Sequence, residues 1–285
     1  MKFILTKLFW GLFRYFLSDE QYARIRYRLE LDEWPDLENP QTFTEKIQYI
    51  KLYQRNELRK KIADRIKVRE YVAEKVGEDH LIPLIGNYSE LTPDIWEKLP
   101  SQFVLKANHG CAMLKIVRDK EQADYHKIYR QTEEWKNTDY SKIGREWVYE
   151  GLPRTILAEE LLLDSSNSIP EDYKFFCFHG RVEILQIDFD RFGNQRRNLY
   201  DRNFNRIEAT LLYPNYEKAV EKPDNLDKAI EIAERLSADF NFLRVDLYLL
   251  ENEVYFGELT NYPGNGFKAF EPNTMNYKIG KLLKL

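Results

Sequence analysis

Apolar and polar positions follow two different periods along this chain, and the switch between them organises it. The first ~95 residues are spaced mostly as helices. Within residues 1–17, Phe3, Ile4, Leu8, Leu12, Tyr15 and Phe16 fall roughly on one helical face, with Trp10 and Phe13 flanking it. Lys2, Lys7 and Arg14 interrupt this run, which falls short of the ~20 apolar residues a spanning helix needs. No small-residue cleavage site follows, so a secretory signal is not expected. Such a helix either lies on a membrane surface or docks on the protein's own body, and exposed amphipathic helices are the rarer case. Further helices are predicted over 19–29 and, after a loop with Trp34, Pro35, Asn39 and Pro40, over 45–58 with Thr42 or Thr44 as cap. A helix over 63–76 stops at Gly77, and a short extended piece covers 81–85.

After Pro100 the period shortens to two. Residues 103–106 and 114–117 read as strands around Ala107-Asn108-His109-Gly110, followed by a helical region over 120–135 and a loop with Gly144. Residues 155–162 are strand-like, and 173–179 pair with 182–188 across Gly180. Leu226, Ile230, Ala233 and Leu236 set a helix over 223–238, and 244–250 with 253–258 form a hairpin around Asn252. Helices mixed with antiparallel hairpins predict an α+β fold rather than a doubly wound parallel sheet.

Composition narrows the class. A chain of 285 residues has room for one or two domains, and 43% apolar with 32% charged residues is ordinary for a folded protein. The formal net charge of −4 exerts no pull toward nucleic acid. Two cysteines and four histidines form neither a disulfide framework nor a zinc site, which makes a reducing, cytoplasmic setting the default expectation.

The hairpin carries the most chemistry. Asp246 and Glu258 are each six positions from Asn252. Strands turning there set the two carboxylates side by side on one face, with Cβ atoms about 5 Å apart. Either a hard divalent cation sits between these like charges, or the register is one residue out and both face water. Arg244 and Thr260 obey the same symmetry. Lys106 ends a buried strand, where an ammonium needs an anionic partner or a snorkelling path to water. The Asn108-His109-Gly110 turn offers backbone amides to phosphate oxygens, although it is far from a Walker A pattern. Asp172 and Lys174 share one strand face and read as an ion pair, in a strand covered on both sides. Glu159 and Glu160 close an apolar strand and read as a solvated edge. No nucleophile elbow, zincin helix or dinucleotide fingerprint is present.

The order of these pieces resembles the ATP-grasp superfamily, and within it the TupA-like branch, associated with teichuronopeptide and other bacterial surface polysaccharides. The resemblance covers about Asn39 to Gly280 and is carried by Asn39-Pro40-Gln41-Thr42-Phe43-Thr44-Glu45-Lys46-Ile47, by Ala63-Asp64-Arg65-Ile66-Lys67-Val68-Arg69-Glu70-Tyr71-Val72 and by Phe103-Val104-Leu105-Lys106-Ala107-Asn108-His109-Gly110. It continues through Asp172-Tyr173-Lys174-Phe175, Arg244-Val245-Asp246-Leu247-Tyr248 and Tyr255-Phe256-Gly257-Glu258-Leu259-Thr260. It implies an ATP-grasp fold of mixed antiparallel sheets with an N-terminal helical region. The implied divisions are amphipathic helices over 1–38, a mostly helical region over 39–100, a lid subdomain over 101–158 and a C-terminal subdomain with the metal site over 159–285.

By the same resemblance Lys106 binds the ATP α- and β-phosphates, His109 and Gly110 begin the loop that covers them, and Arg65 reaches phosphate. Glu159, Glu160, Leu161 and Leu162 form the hinge that receives adenine and ribose. Asp246 and Glu258, with Thr260, hold magnesium; Lys174 and Arg244 stabilise the transferred phosphate, and Arg191, Arg196 and Arg197 are further candidates for that surface. The chain departs from the pattern at Cys111-Ala112, where the family loop is richer in glycine, at Arg65, where it carries Lys, and at Thr260, where an Asn is frequent. The expected activity is an ATP- and magnesium-dependent carboxylate–amine ligase acting through an acyl phosphate on a surface-polysaccharide precursor, a uronic acid joined to an amino acid or small amine. The expected site of action is the cytoplasm, with possible peripheral contact of residues 1–17 with the inner face of the plasma membrane. A glycosyltransferase using a nucleotide sugar and a non-catalytic nucleotide-binding scaffold are the alternatives.

Overall fold

The computed structural model describes residues 9–10, 16–190, 193–251 and 253–285. Most of the helix predicted over 1–17, together with Arg191 and the turn residue Asn252, lies outside the described residues. Of that predicted helix, Phe9 is buried against Tyr22, with ring centroids 5.3 Å apart.

Capping side chains decide where the first helices begin and end. Ser18 opens α1 (Asp19–Leu31) with a capping box. Of the two threonines proposed as cap for the next helix, Thr42 is used. Its hydroxyl accepts from the Glu45 amide and the Glu45 carboxylate accepts from the Thr42 amide, starting α2 (Phe43–Tyr53). The helix predicted over 45–58 is in fact two, because Asn56 accepts from the Arg59 amide and starts α3 (Glu57–Ala63). The helix predicted from residue 63 begins later, as α4 (Lys67–Val76), since the Asp64 carboxylate accepts from the amides of Ile66 and Lys67.

The first sheet follows. The predicted extended piece is displaced onto β1 (Leu84–Tyr88), and Thr92 caps α5 (Pro93–Lys98), which the residue spacing did not reveal. Then come β2 (Phe103–Ala107), β3 (Leu114–Val117), α6 (Tyr125–Asn137), α7 (Tyr140–Gly144) and β4 (Ile156–Glu159). The four strands pair antiparallel in the order β1-β4-β2-β3, and Trp96, Phe103, Leu105, Ile128 and Trp135 form the core between sheet and helices.

The second sheet is built from β5 (Asp172–Phe178), β6 (Arg181–Phe189), β7 (Arg196–Asp201), β8 (Arg206–Ile207), β10 (Phe242–Leu250) and β11 (Glu253–Thr260), in the order β11-β10-β5-β6-β7-β8. Between them lie β9 (Thr210–Leu211) and α8 (Leu226–Ser237), and the described chain ends with β12 (Phe270–Glu271), which pairs with β9, and α9 (Asn273–Gly280). One face of this sheet is apolar throughout: Phe175, Ile187, Val245 and Leu247 pack under α4 and α8 with Val72, Ala233 and Leu236. The opposite face is apolar at one end only, where Phe43 of α2 meets Phe176, Phe178, Phe242 and Phe270 with ring centroids 5.1–6.1 Å away. The rest of that face carries charge. Named strands pair only antiparallel, which with the helices makes the fold α+β. No helix among the described residues is long and apolar enough to cross a membrane.

Candidate active site

Period-two alternation turns Arg244, Asp246 and Tyr248 of β10 toward the charged face while Val245 and Leu247 enter the core. Asp246 pairs with Glu258 on β11 and with Lys174 on β5, so two carboxylates and an ammonium stand in one row. The register has a particular cause. From Leu250↔Glu253 to Leu247↔Phe256 the hairpin runs in one register, and a bulge between Phe256 and Glu258 shifts it so that Asp246 meets Glu258. The bulge also puts Glu258 on the charged face although Phe256, two residues earlier, lies in the core. Gly257 sits at the bulge, where a Cβ would lie 3.0 Å from the Asp246 carbonyl oxygen.

Asp246 is 4% exposed, and its oxygens accept from Arg244 Nε at 2.7 Å and Nη2 at 2.6 Å, with Lys174 Nζ 3.3 Å away. Burial pushes the Asp246 carboxyl above its ordinary value, and the Arg244 and Lys174 charges work against that rise. Burial disfavours the Arg244 guanidinium, but Asp246 more than offsets this and keeps it charged. Arg244 also donates to Thr260 Oγ1 at 3.0 Å, and the Thr260 hydroxyl donates to Glu258 Oε1 at 3.2 Å. Deeper along the sheet Lys174 pairs with Asp172 and faces Asp188 at 3.8 Å, while Arg197 Nη2 donates to Asp188 at 3.0 Å. The expected Asp172–Lys174 pair is thus one part of a buried lattice of charge.

Across the cleft, Lys106 Nζ donates to Glu159 Oε2 at 2.6 Å, and Arg69 Nη1 donates to Glu159 Oε1 at 3.1 Å. The anionic partner that a buried lysine requires is therefore Glu159, which is not a solvated edge. Lys106 lies at the junction of two recesses. One is a largely apolar slot between Val104, Ile116, Leu161, Leu162 and Tyr248, with Glu160 at its rim; the other is polar, with Arg65, Arg69, Tyr149, Glu159 and Glu258.

Several predicted residues are placed elsewhere. The His109 ring turns into the core of the first sheet, its Nε2 2.8 Å from the Trp135 carbonyl oxygen, and burial lowers its proton affinity. Only its backbone belongs to the loop. Arg65 donates to the carbonyls of Ala107 and Gly110, both at 2.9 Å, so it ties the loop down while lining the polar recess. Gly110 faces Tyr140 and Met113, where a Cβ would lie 3.0 Å from each. Arg197 joins the charged face, but Arg196 does not: it pairs with Phe189, whose side chain is in the helix-covered core, so alternation sends it to the other side. Asn261 is occupied with Arg59, accepting from its Nη1 at 3.1 Å and donating to its carbonyl at 3.0 Å, which leaves Thr260 as the polar neighbour of the acidic pair. Arg69, Gln186 and Asp188 escaped the sequence reading; for Gln186 and Asp188 the one signal was an amide or charged residue inside a strand otherwise buried on both faces, and Arg69, on the helix α4, had none.

The donor set suits magnesium. Among the described residues no group of three or more His, Cys, Asp or Glu residues is arranged as a metal cage. Magnesium, however, is typically held by one or two carboxylates with the remaining positions left to phosphate and water. Glu258 has no cation within ion-pair distance among the described residues, accepts from the Thr260 hydroxyl, and faces Asp246 on the next strand.

The chain is similar to D-alanine–D-alanine ligase from Bacillus anthracis complexed with ATP, at 14% identity over 70% of this chain and 53% of that one, with a TM-score of 0.41. It is also similar to D-alanyl-alanine synthetase A from Vibrio cholerae, at 12% identity over 84% of this chain and 65% of that one, with a TM-score of 0.43. The chain spans about half the length of the first of these ligases. The comparison with curated proteins returned no match. The model of the TupA-like ATP-grasp family matches residues 45–284, which takes in all but the first two residues of α2, every later element through α9 and both recesses, and the chain belongs to that family.

Proposed function

We propose that this protein is an ATP-dependent carboxylate–amine ligase that forms an amide through an acyl phosphate. The observation that carries the reading is the position of Lys106, between an apolar slot fit for a purine and a polar recess that ends on Glu258 opposite Asp246. Adenine stacks in the slot with the backbone of Leu161 and Leu162 at its edge. Lys106 exchanges Glu159 for phosphate oxygens, and Arg69 keeps Glu159 neutralised when it does. Asp246 and Glu258 would hold magnesium, which screens the negative charge of the β- and γ-phosphates when bound. Lys174 and Arg244 present fixed positive charge to the transferred phosphoryl group in a site where solvent screens little. The loop at Gly110, anchored through Arg65, covers the phosphates and keeps water from the activated carboxyl.

The acceptor is a uronic acid of a bacterial surface-polysaccharide precursor, joined to an amino acid or small amine, as the family's association supports. The test is incubation with ATP, magnesium and a panel of free and nucleotide-linked uronic acids with amines. ADP and phosphate released in proportion to amide are expected. Release of a nucleoside diphosphate from a nucleotide sugar would instead make the protein a glycosyltransferase, and ATP binding without turnover on any acid would make it a scaffold.

A further inference from the structure

Beside the polar recess the surface is basic, in a chain whose formal net charge is −4. A groove of about 510 Å³ lies between α3 and the chain 151–153, within the range of about 300–1,000 Å³ usual for ligand sites. Its charged lining is Lys60 and Lys61 of α3, Lys67 at the start of α4 and one acid, Glu57. Lys61 has only a loose ion pair, 3.8 Å from Glu70. Among the described residues the side chains of Lys60 and Lys67 make no ion pair and no hydrogen bond. The groove shares two walls with the recess. Ile62, Ala63 and Arg65 line the recess while Lys61 and Lys67 line the groove, and farther along the chain Tyr149 lines the recess while Gly151 lines the groove. Each crossing takes one or two residues, no more than about 7 Å of chain. The α3 wall is fixed in place: buried Arg59 donates to Asn261, the residue after Thr260, at 3.1 Å and to Asn241 at 2.7 Å. The Asp64 carboxylate accepts from the amides of Ile66 and Lys67 at 3.0 and 3.1 Å, which fixes the turn between Arg65 and Lys67.

We infer that this groove binds a diphosphate on the acceptor, so that the substrate is a uronic acid carried as its glycosyl diphosphate rather than the free acid. The inference rests on the ligase reading and names the class of acceptor within it. The carboxyl to be activated has to enter the polar recess that ends on Glu258, and a second anionic group on the same sugar then needs a cationic site of its own close by. The groove supplies one across a shared wall. Lysine is a compact, mobile point charge that suits phosphate oxygens. Three lysines gathered in one place match charge concentrated on a diphosphate better than the evenly spaced carboxylates of a polymer. No bond is made or broken in the groove. A contact of this kind holds equally in the ground and transition states, so its loss acts on KM rather than on kcat. A nucleoside and a lipid carrier present the same diphosphate, and the substrates below separate them.

Full-length protein with ATP, magnesium and amines is supplied with glucuronic acid in four forms: free, linked to uridine diphosphate, linked to a short-chain lipid diphosphate, and as a short oligomer. A higher kcat/KM for one or both diphosphate forms than for the free acid is expected, and which of the two is used identifies the carrier. In the double variant Lys60→Gln, Lys67→Gln that preference should fall about 5–30-fold, as for two exposed charge contacts, and the fall should appear in KM. Arginine at both positions should keep it. A free acid or an oligomer used as well as the diphosphate forms, or a preference unchanged in the glutamine variant, would overturn the assignment. Equilibrium titration of both diphosphate forms, with excess ADP occupying the nucleotide slot, reads the groove without turnover. Binding should weaken in the glutamine variant and with added salt, and equal affinity in variant and wild type would also overturn it. Absence of ADP formation by the wild type with every form removes the ligase reading, and the titration then still decides whether the groove takes a diphosphate.

Discussion

At the scale of single residues, the site depends on a few close approaches and on charges that share partners. Gly257→Val crowds the Asp246 carbonyl, which a Cβ already approaches to 3.0 Å. The expected cost is about 1–3 kcal/mol, typical of overpacking, together with weaker magnesium-dependent ATP binding, read by urea melts and calorimetric titration. Lys106→Ala leaves Glu159 paired to Arg69, so the protein should stay folded. A hydrogen bond to a charged group is worth about 1.5–3 kcal/mol, so ATP affinity should fall about 10–150-fold by the same titration. The opposed acids were legible from their equal distance to Asn252, yet the structure reaches that opposition by compensation. The hairpin register itself is offset by one, and the bulge at Gly257 restores it. Spacing counts residues and cannot see a bulge.

Elements are placed by caps and by a few long-range ion pairs. Asp19, at the start of α1, receives Arg55 Nη2 at 2.7 Å and Arg145 Nη1 at 3.0 Å, joining this helix to the ends of α2 and α7. Burial pushes the Asp19 carboxyl up, but the bonds from Arg55 and Arg145 outweigh it and hold the carboxyl below its ordinary value. A carboxylate lowered in this way stabilises the folded state above its unfolded value, about 3.9, and loses that contribution as pH falls through the folded one. Asp19→Asn should therefore lower Tm at pH 7, and the gap to the wild type should close as the pH falls below about 4; a constant gap down to pH 2 would show that the ion pairs are not its source. Helix existence was readable here from periodicity, whereas boundaries were not: the break between α2 and α3 turns on Asn56 bonding the Arg59 amide, a choice that apolar spacing does not encode.

For the molecule as a whole, two sheets meet across one cleft, with Lys106 from the first facing Asp246 and Glu258 from the second. A ligand bridging them stabilises the folded state by mass action. At ATP–magnesium a hundredfold above its Kd the gain is about 2.7 kcal/mol, or a rise in Tm of about 5–10 °C for a chain of this size. Thermal melts with ATP plus magnesium, ATP plus chelator, and ATP plus magnesium on Asp246→Asn should give a full, a reduced and a reduced shift. Equal shifts in all three would separate nucleotide binding from the acidic pair.

By itself the sequence determined the α+β class, the antiparallel hairpins and the family, because periodicity and ordered local blocks are properties of neighbours along the chain. It also marked Lys106, Asp246 and Glu258, whose charges are out of place in buried strands. Only the tertiary structure decided that His109 turns away into a core, that Arg196 and Arg197 part to opposite faces, that Glu159 neutralises Lys106, and that Arg69 stands at the cleft. Burial and electrostatic partnership depend on residues tens of positions apart meeting in space, as His109 and Trp135, Lys106 and Glu159, or Arg69 and Glu159 do, and strand alternation assigns a side chain to a face only once register and bulges are set.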